Sequence, residues 1–371
     1  MNRGKLLAVF MLLIVQAACV QMDPIQRTLG SDSIEIRRVM SNLAEHEVQI
    51  LFSEISRNDK KEANFSTSEF QVDSENYFYP ASTVKFLVAL LALEKINEDP
   101  RVDRHTSFTV AGELEATTFT DEITALFVVS DNDAYNRLFE FLGKDEINRR
   151  LISKGIEARL SHRLSIPDSD RLDYRALHFS TNKGTVISQA PASTPIEKTN
   201  ANRLTKGIAY RQDGELVERP FDFAEKNSLP LRTLHESMKR LVFPENFTES
   251  ERFKLTQDDR QFLLKTMKTL PAQAGFLDEE YYDSYVKFLV FGDRKTAMPA
   301  HIEIYNKVGY AYGTLTDCAY IVDTRNNKEY LITATLLVND NQIFNDDNYE
   351  YDSIGIPFLA ELGRQLIQYD N

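Results

Sequence analysis

The segment from Thr83 to Ile96 constrains the fold more than any other part of the chain. Val84 and every residue from Phe86 to Leu93 are apolar. A helix that is apolar on nearly all sides must be surrounded by other elements, so it belongs at the centre of a domain. The chain has 371 residues, of which 42% are hydrophobic, and this composition supports a packed core. We therefore expect a folded globular protein built around this helix.

Strands are expected near both ends of the chain, with helices between them. Near the N-terminus, a helical stripe over residues 34–43 precedes strand-like alternation over 48–55 and 65–72. Further helices are expected over residues 120–129, 133–142, 231–242 and 258–270. Alternating or β-branched segments and a last helix follow over residues 301–305, 318–323, 330–339 and 357–368. This order predicts an α/β fold, with one layer built from the two termini and an all-helical lobe from the middle.

Residues 165–227 interrupt this pattern. They show almost no apolar periodicity and are dominated by Ser, Thr, Pro, Asn and Lys. About sixty residues is long for a simple connection, so we expect an inserted loop region that covers another part of the molecule. The helical lobe that contains it is expected to span about residues 76–230.

Charge and composition exclude several classes of partner. The 43 Lys and Arg residues and 56 Asp and Glu residues give a net charge of −13, with no basic stripe, so nucleic-acid binding is not expected. The two cysteines are too few for a disulfide scaffold or a sulfur-ligated zinc. An oxygen-rich run over residues 340–350 could hold Ca²⁺, but it lacks EF-hand spacing and a polar loop explains it. No metal or other cofactor is expected.

The first residues have the layout of an export signal. Arg3 and Lys5 precede ten apolar residues, followed by two alanines and Cys19. Ten apolar residues are too few to span a bilayer as a helix. The Cys after two alanines resembles the bacterial lipoprotein signal, although Gln16 replaces its usual Leu; soluble secretion after cleavage at Ala17 is the alternative. We expect a signal peptide over residues 1–18, lipidation of Cys19, a tether over 19–31, and an unpaired, buried Cys318.

The start of the central helix carries a possible nucleophile and base. Ser82-Thr83-Val84-Lys85 places the Ser82 hydroxyl and the Lys85 amine on one face of the helix, where they can touch. A serine hydroxyl needs a base to become nucleophilic, and a lysine desolvated beside an apolar core can be neutral enough to serve. Alone the pattern is weak, because a helix cap with a surface lysine produces it too.

Two further motifs change that balance. Ser130-Asp131-Asn132 lies between two expected helices, and Lys307-Val308-Gly309 lies in the C-terminal sheet region. Together with Ser82 and Lys85, in this order, they resemble the S-x-x-K, S-D-N and K-T-G set of the serine β-lactamases and penicillin-binding proteins, most closely the class A branch. The resemblance covers most of the chain. It implies one catalytic domain over residues 32–371, an α+β sandwich whose antiparallel sheet and flanking helices come from both termini.

The resemblance also implies a role for each motif residue. Ser82 would be the acylated nucleophile, and Lys85 its base or the activator of one. Ser130 would pass a proton to the leaving group, and Asn132 would hold the amide of the substrate. Lys307 would attract a carboxylate. Two further roles follow from the resemblance. Asp131 would brace its turn, and the backbone N–H groups of Ser82 and of Tyr310, directly after Gly309, would form an oxyanion hole.

Two departures from the family pattern bear on the substrate and on turnover. Val308 replaces the hydroxyl residue that usually binds the substrate carboxylate, and valine cannot donate a hydrogen bond. The E-x-x-L-N sequence that supplies the deacylating acid of class A enzymes is absent. Four acids lie near the expected position, but each is explained as an ordinary solvated charge: Glu157, Asp168, Asp170 and Asp173. His162 could replace the missing base, although a packing role in the loop is the ordinary explanation.

The predicted function is a serine hydrolase that forms an acyl-enzyme on Ser82 with a β-lactam or related amide or ester and deacylates slowly. A carboxypeptidase, esterase or amidase is one alternative, and a binding protein for cell-wall fragments without turnover is another. The aromatic residues Phe221, Phe223, Tyr281, Tyr282 and Tyr285 could line a sugar or lipid site but are first expected to be core. The partner is a small-molecule or cell-wall-derived substrate. The protein is expected to be a monomer in the bacterial envelope, held to the membrane only by its lipid anchor.

Overall fold

The largest sheet is built from both ends of the chain, as the sequence predicts. The structure is a computed structural model that describes residues 22–369, so the expected signal peptide and Cys19 lie outside the described residues. Five antiparallel strands are ordered β10-β11-β12-β1-β2. They are β1 (Gln49–Arg57), β2 (Ala63–Phe70), β10 (Ile302–Ala311), β11 (Thr314–Asp323) and β12 (Lys328–Leu337). β10 therefore forms one edge of the sheet.

Helices from both termini share one hydrophobic core with this sheet. They are α1 (Pro24–Leu29), α2 (Ile34–Met40), α3 (Leu43–His46) and α10 (Ile356–Leu366). The prediction of a tether through residue 31 is wrong for α1. Asp23 caps this helix, and Ile25 and Leu29, one turn apart, are buried in the same core as α10. A single helical turn is too short to show a convincing apolar period in sequence.

The helical lobe lies on the other side of the sheet and is organised around the central helix. Its members are α4 (Val84–Ile96), α5 (Phe119–Val128), α6 (Asn132–Leu142), α7 (Lys144–Ser153), α8 (Leu231–Val242) and α9 (Gln257–Lys268). All residues of α4 except Lys95 are buried, which confirms the central position expected from its composition. None of the helices within residues 22–369 is long and apolar enough to cross a membrane.

The central helix should be highly sensitive to loss of side-chain volume. Leu90 is fully buried in the helical core, so Leu90→Ala should lower the free energy of unfolding by about 2–5 kcal/mol. Leu114 is 99% exposed, and Leu114→Ala should change stability by no more than about 0.5 kcal/mol. Urea denaturation of the two variants checks this difference. Equal stability of the two variants would show that α4 is not the packed centre.

The inserted region over 165–227 forms several small sheets. One contains β3 (Phe108–Val110), β4 (Leu177–Thr181) and β5 (Gly184–Ser188), and another pairs β6 (Thr205–Lys206) with β9 (Phe221–Asp222). The third contains β7 (Ala209–Gln212), β8 (Glu215–Val217) and β13 (Ile343–Phe344). Through β13, which runs parallel to β7, the insertion is fastened to the loop before α10.

An aromatic cluster joins the insertion to the turn that carries Ser82. Its buried members are Tyr77, Tyr79, Tyr210, Phe223 and Phe344, together with Ala81. Phe221 is half-buried and packs against the same cluster, so Phe221 and Phe223 are packing residues. The insertion thus supports the segment that precedes the central helix.

Candidate active site

Ser82 lies on a tight turn directly before the central helix. Residues 81–83 form one turn of 3₁₀ helix that continues into α4, and Ala81 has a left-handed φ of 45°. Thr83 Oγ1 donates a hydrogen bond to the carbonyl of Pro80 at 2.6 Å, which holds the turn. The Ser82 side chain is half-buried, whereas Lys85, in the first turn of α4, is completely buried.

Gly309 allows this turn to pack against the edge strand β10. A Cβ atom on Gly309 would lie 2.8 Å from the Pro80 carbonyl oxygen and 2.8 Å from the Ser82 nitrogen. Such distances are too short for any side chain, and both neighbours are backbone atoms that cannot swing away. The glycine therefore sets the distance between Ser82 and the strand that carries Lys307.

Substitution of this glycine should impair acylation of Ser82. Gly309→Ala must push the 80–83 turn away from β10, and a displacement near 1 Å can cost roughly 100-fold in rate. The measurement is the rate of Ser82 acylation by an activated ester, with the melting temperature recorded alongside. A variant that keeps both the wild-type rate and the wild-type melting temperature would contradict this tight contact.

The second motif forms the junction between α5 and α6. Ser130 has a left-handed φ of 57°, and the Asp131 carboxylate accepts a hydrogen bond from the Ala134 N–H at 2.7 Å, capping α6. Asp131 thus braces the turn. The turn brings Ser130 and Asn132 to Lys85, whose Nζ donates to Asn132 Oδ1 at 2.7 Å and to the Ser130 carbonyl.

The third motif reaches the same hydroxyl from the sheet side. Lys307 Nζ donates to Ser130 Oγ at 2.8 Å and to the Val308 carbonyl at 2.8 Å. Lys85 Nζ lies 3.4 Å from the same Ser130 Oγ. The Ser130 hydroxyl is therefore held between two lysine amines from different layers of the protein.

Burial weakens the charge of both lysines. Desolvation lowers the pKa of Lys85 from 10.5 to about 7, although the nearby carboxylates of Asp131 and Asp133 act in the opposite direction. Burial, and then the positive charge of Lys85, lower the pKa of Lys307 well below its usual value. A lysine with a pKa near 7 is partly neutral at physiological pH and can accept a proton.

The contact expected between Ser82 and Lys85 is not a hydrogen bond in this structure. Within the described chain, the hydrogen bonds of Lys85 Nζ go to Ser130 and Asn132. The helical spacing is as predicted, but the polar groups of the second motif attract the amine. Hydrogen bonds of a catalytic base are often long before substrate binds, so the geometry is compatible with a base role.

The backbone N–H of Tyr310 faces away from the sheet. β10 and β11 are joined by the two-residue turn Tyr312-Gly313, in which both residues have positive φ, as a type I′ hairpin requires. Hydrogen-bonded and non-hydrogen-bonded pairs alternate from such a turn, so Tyr310 falls in a non-hydrogen-bonded pair with Leu315. Its N–H therefore points out of the sheet edge, one residue after Gly309, against which the Ser82 nitrogen packs.

Comparison with known proteins finds a family match over part of the chain. Residues 33–209, a little under half of the chain, match the model of a family described as "Beta-lactamase enzyme family". This match contains the first two motifs, and the third motif contacts both in the structure. Residues 33–209 thus match the β-lactamase enzyme family, and this match supports the serine β-lactamase and penicillin-binding protein superfamily that the three motifs resemble. A search of curated protein sequences found no match.

Two solved structures are similar to this β-lactamase-like protein at low identity. One is a mutant of PBP-A as an acyl-enzyme complex with penicillin G: identity 15%, TM-score 0.49, covering 93% of this chain and 95% of the other. The other is a β-lactamase from Desulfarculus baarsii: identity 14%, TM-score 0.49, covering 93% and 99%. The family match over residues 33–209 is independent of these two structures.

The cleft of this β-lactamase-like protein has a volume of about 840 Å³, and Ser82, Ser130 and Asn132 line it. The loop over residues 162–169 forms one wall. The residues of this loop that line the cleft are His162, Arg163, Leu164, Ser165, Ile166, Pro167 and Ser169. No carboxylate is among them. Glu157, Asp168, Asp170 and Asp173 do not line the cleft, and Asp173 pairs with Arg171 at 2.5 Å.

His162 does not have the environment of a deacylating base. Its Nδ1 donates to the Arg163 carbonyl at 2.6 Å, and its Nε2 accepts from the Asn227 N–H at 3.4 Å. Burial lowers the pKa of its imidazole to about 4. Both ring nitrogens are occupied, which favours the packing role.

Val308 is buried in the core shared by the sheet and α10. No hydroxyl therefore stands at this position of the third motif, and only the carbonyl of Val308 is used, as an acceptor for Lys307. No group of three or more His, Cys, Asp or Glu side chains within residues 22–369 is arranged to hold a metal ion. Cys318 is buried and unpaired, as predicted.

Sequence reasoning missed several residues that line the cleft outside the three motifs. They are Lys226 in the insertion, Tyr285 between α9 and β10, and Asn345, Asp347, Tyr349 and Tyr351 between β12 and α10. Tyr285 was expected first to be core, with a sugar or lipid site as the alternative. The run over 340–350 was expected to be a polar loop, with calcium as the alternative, but its position next to the hairpin that carries the third motif could have placed it at the cleft.

Proposed function

We propose that this protein is a serine hydrolase that is acylated on Ser82 by a β-lactam or a related amide or ester, and that it deacylates slowly. One observation carries the proposal: the Ser130 hydroxyl is held between Lys85 and Lys307 in the cleft that Ser82 lines. A binding protein would not need two buried lysines on one hydroxyl, because each costs free energy to desolvate.

The proposed acylation uses each of these groups in turn. Neutral Lys85 accepts the proton of Ser82, directly or through Ser130, and Ser82 Oγ attacks the carbonyl carbon. The N–H groups of Ser82 and Tyr310 stabilise the oxyanion that forms. The carbon–nitrogen or carbon–oxygen bond then breaks. Ser130, held by Lys307, passes its proton to the leaving atom and takes up the proton that Lys85 accepted from Ser82. Asn132 binds the amide of the substrate.

Deacylation is proposed to be slow because the cleft has no suitable base for water. The 162–169 loop contributes no carboxylate to the cleft lining, and His162 is committed to backbone contacts. Two other acids line the cleft: Asp131 is used to cap α6, and Asp347 is exposed on the loop before α10. A positioned general base is worth about 10²–10⁴-fold in rate, so its absence should leave a long-lived acyl-enzyme.

The test is to incubate the protein with benzylpenicillin and to follow both its intact mass and the free penicillin for hours. We expect a stoichiometric adduct that persists while little penicillin is consumed. Rapid loss of penicillin would identify a true β-lactamase instead. Absence of an adduct with penicillin and with activated esters would contradict the proposed hydrolase and favour the binding protein.

We also propose export to the bacterial envelope with a lipid on Cys19, supported by the N-terminal sequence pattern. Labelled palmitate should be incorporated into the wild-type protein expressed in bacteria but not into Cys19→Ser. Equal labelling of both proteins would contradict the anchor.

A further inference from the structure

The basic side chains in and beside the cleft differ in whether the protein itself satisfies them. Lys85 and Lys307 do not line the cleft; Lys85 is bound to Asn132, and Lys307 is bound to Ser130. Arg163 Nη1 donates to the Glu140 carboxylate at 2.9 Å and is buried. These three side chains have protein partners and are not available to pair with an anionic group of a substrate.

Lys226 is different. It lines the cleft, is half-buried, and has no ion-pair or hydrogen-bond partner for its Nζ within residues 22–369. Its Nζ lies 6.0 Å from the ring centroid of Phe221. Burial lowers its pKa, and Asp170 and Glu225 raise the pKa only from beyond ion-pair distance. A partly desolvated cation without a protein partner is available to pair with an external anion.

The backbone next to Lys226 is firmly held. Asn227 is fully buried, and its Oδ1 accepts a hydrogen bond from the Ser161 N–H at 2.7 Å. Tyr77 donates its hydroxyl proton to the Asn227 carbonyl at 2.9 Å. Lys226 is thereby fixed beside the 162–169 loop, whereas Lys307 projects from β10. Lys226 therefore lines the loop side of the cleft, whereas Lys307 lies behind Ser130 on the sheet side.

This placement indicates which part of a substrate Lys226 would contact. In the proposed mechanism Ser130, held by Lys307, gives its proton to the leaving atom, so the leaving portion lies against that wall. The loop wall is then left for the acyl portion. We propose, resting on the proposed acylation of Ser82, that Lys226 binds an anionic group on the acyl portion of the substrate. The preferred substrates are amides or esters whose acyl part carries a free carboxylate.

Two penicillins give a matched pair of probes. Carbenicillin differs from benzylpenicillin by one added carboxylate on the acyl side chain, and the ring carboxylate common to both cancels in a ratio. The measured quantity is the second-order acylation rate for carbenicillin divided by that for benzylpenicillin. Lys226→Met should lower this ratio about fivefold, the upper range for a solvent-accessible charge pair. Lys226→Arg should restore it, and high salt should reduce the wild-type ratio.

Lys183→Met is the control, because Lys183 is exposed and does not line the cleft. Its ratio should equal that of the wild type. An identical ratio in wild type and Lys226→Met would overturn the inference. If neither penicillin acylates the wild type, the proposed function fails, and the inference is decided by equilibrium binding. Calorimetry should then show that Ser82→Ala binds carbenicillin more tightly than benzylpenicillin, and that adding Lys226→Met removes this difference in affinity. Equal affinity of Ser82→Ala for the two penicillins would overturn the inference.

Discussion

Replacing Ile166 by glutamate should shorten the lifetime of the penicilloyl adduct by at least about tenfold. Ile166 is half-buried on the 162–169 loop, which contributes no carboxylate to the cleft, and it lines the same cleft as Ser82. A carboxylate there could deprotonate a water beside the acyl group. A well-placed general base contributes about 10²–10⁴-fold, and a newly introduced one is expected to reach the lower end. The decay of the adduct mass after removal of free penicillin measures the effect.

Ile166→Gln is the matched control, since glutamine has nearly the shape of glutamate but cannot act as a base. Its adduct should last as long as that of the wild type. Equal adduct lifetimes for Ile166→Glu and Ile166→Gln would show that a missing carboxylate on this loop does not explain slow deacylation.

Replacing Lys85 by methionine should lower the acylation rate by about 10²–10⁴-fold, because the base of the reaction is removed. Lys95→Met is the control: Lys95 lies on the same helix, and burial also lowers its pKa, to about 8, but its Nζ donates to the Phe141 carbonyl rather than to Ser130 and Asn132. Its acylation rate should stay near that of the wild type. Lys85→Met leaves the Ser130 carbonyl and Asn132 without their donor, so melting temperatures are recorded for both variants.

The pH dependence tests the same role in the unmodified protein. The base form of Lys85 is neutral, and burial lowers its pKa to about 7. Acylation should therefore fall about tenfold per pH unit below 7 and level off above it. A rate that continues to rise to pH 10 would show that Lys85 keeps an ordinary pKa and would contradict its assignment as the base.

The sequence predicted the architecture well where apolar patterns were long. The central helix, the strands from both termini and α8 occur where they were expected, because packing of long periodic segments determines them. Shorter signals were less reliable. The helix expected over residues 120–129 begins earlier, because Thr118 caps α5. α7 was not predicted, because charged residues dominate it. α1 was interpreted as a tether.

The candidate site was also predicted only in part. The sequence identified the three motifs, and the structure brings Ser130 to both lysines. The sequence could not show that Lys85 would be hydrogen-bonded to Ser130 and Asn132 rather than to Ser82, since this depends on the left-handed turn at Ser130. Lys226 was missed because it belongs to the insertion, whose sequence has no periodic pattern from which its position could be inferred.

The central claim is that Ser82 is the residue that becomes acylated. After incubation with benzylpenicillin, proteolysis and tandem mass spectrometry of the wild-type protein should place one penicilloyl group on Ser82, and Ser82→Ala should carry none. A penicilloyl group on another residue, or an equal adduct on Ser82→Ala, would contradict the claim.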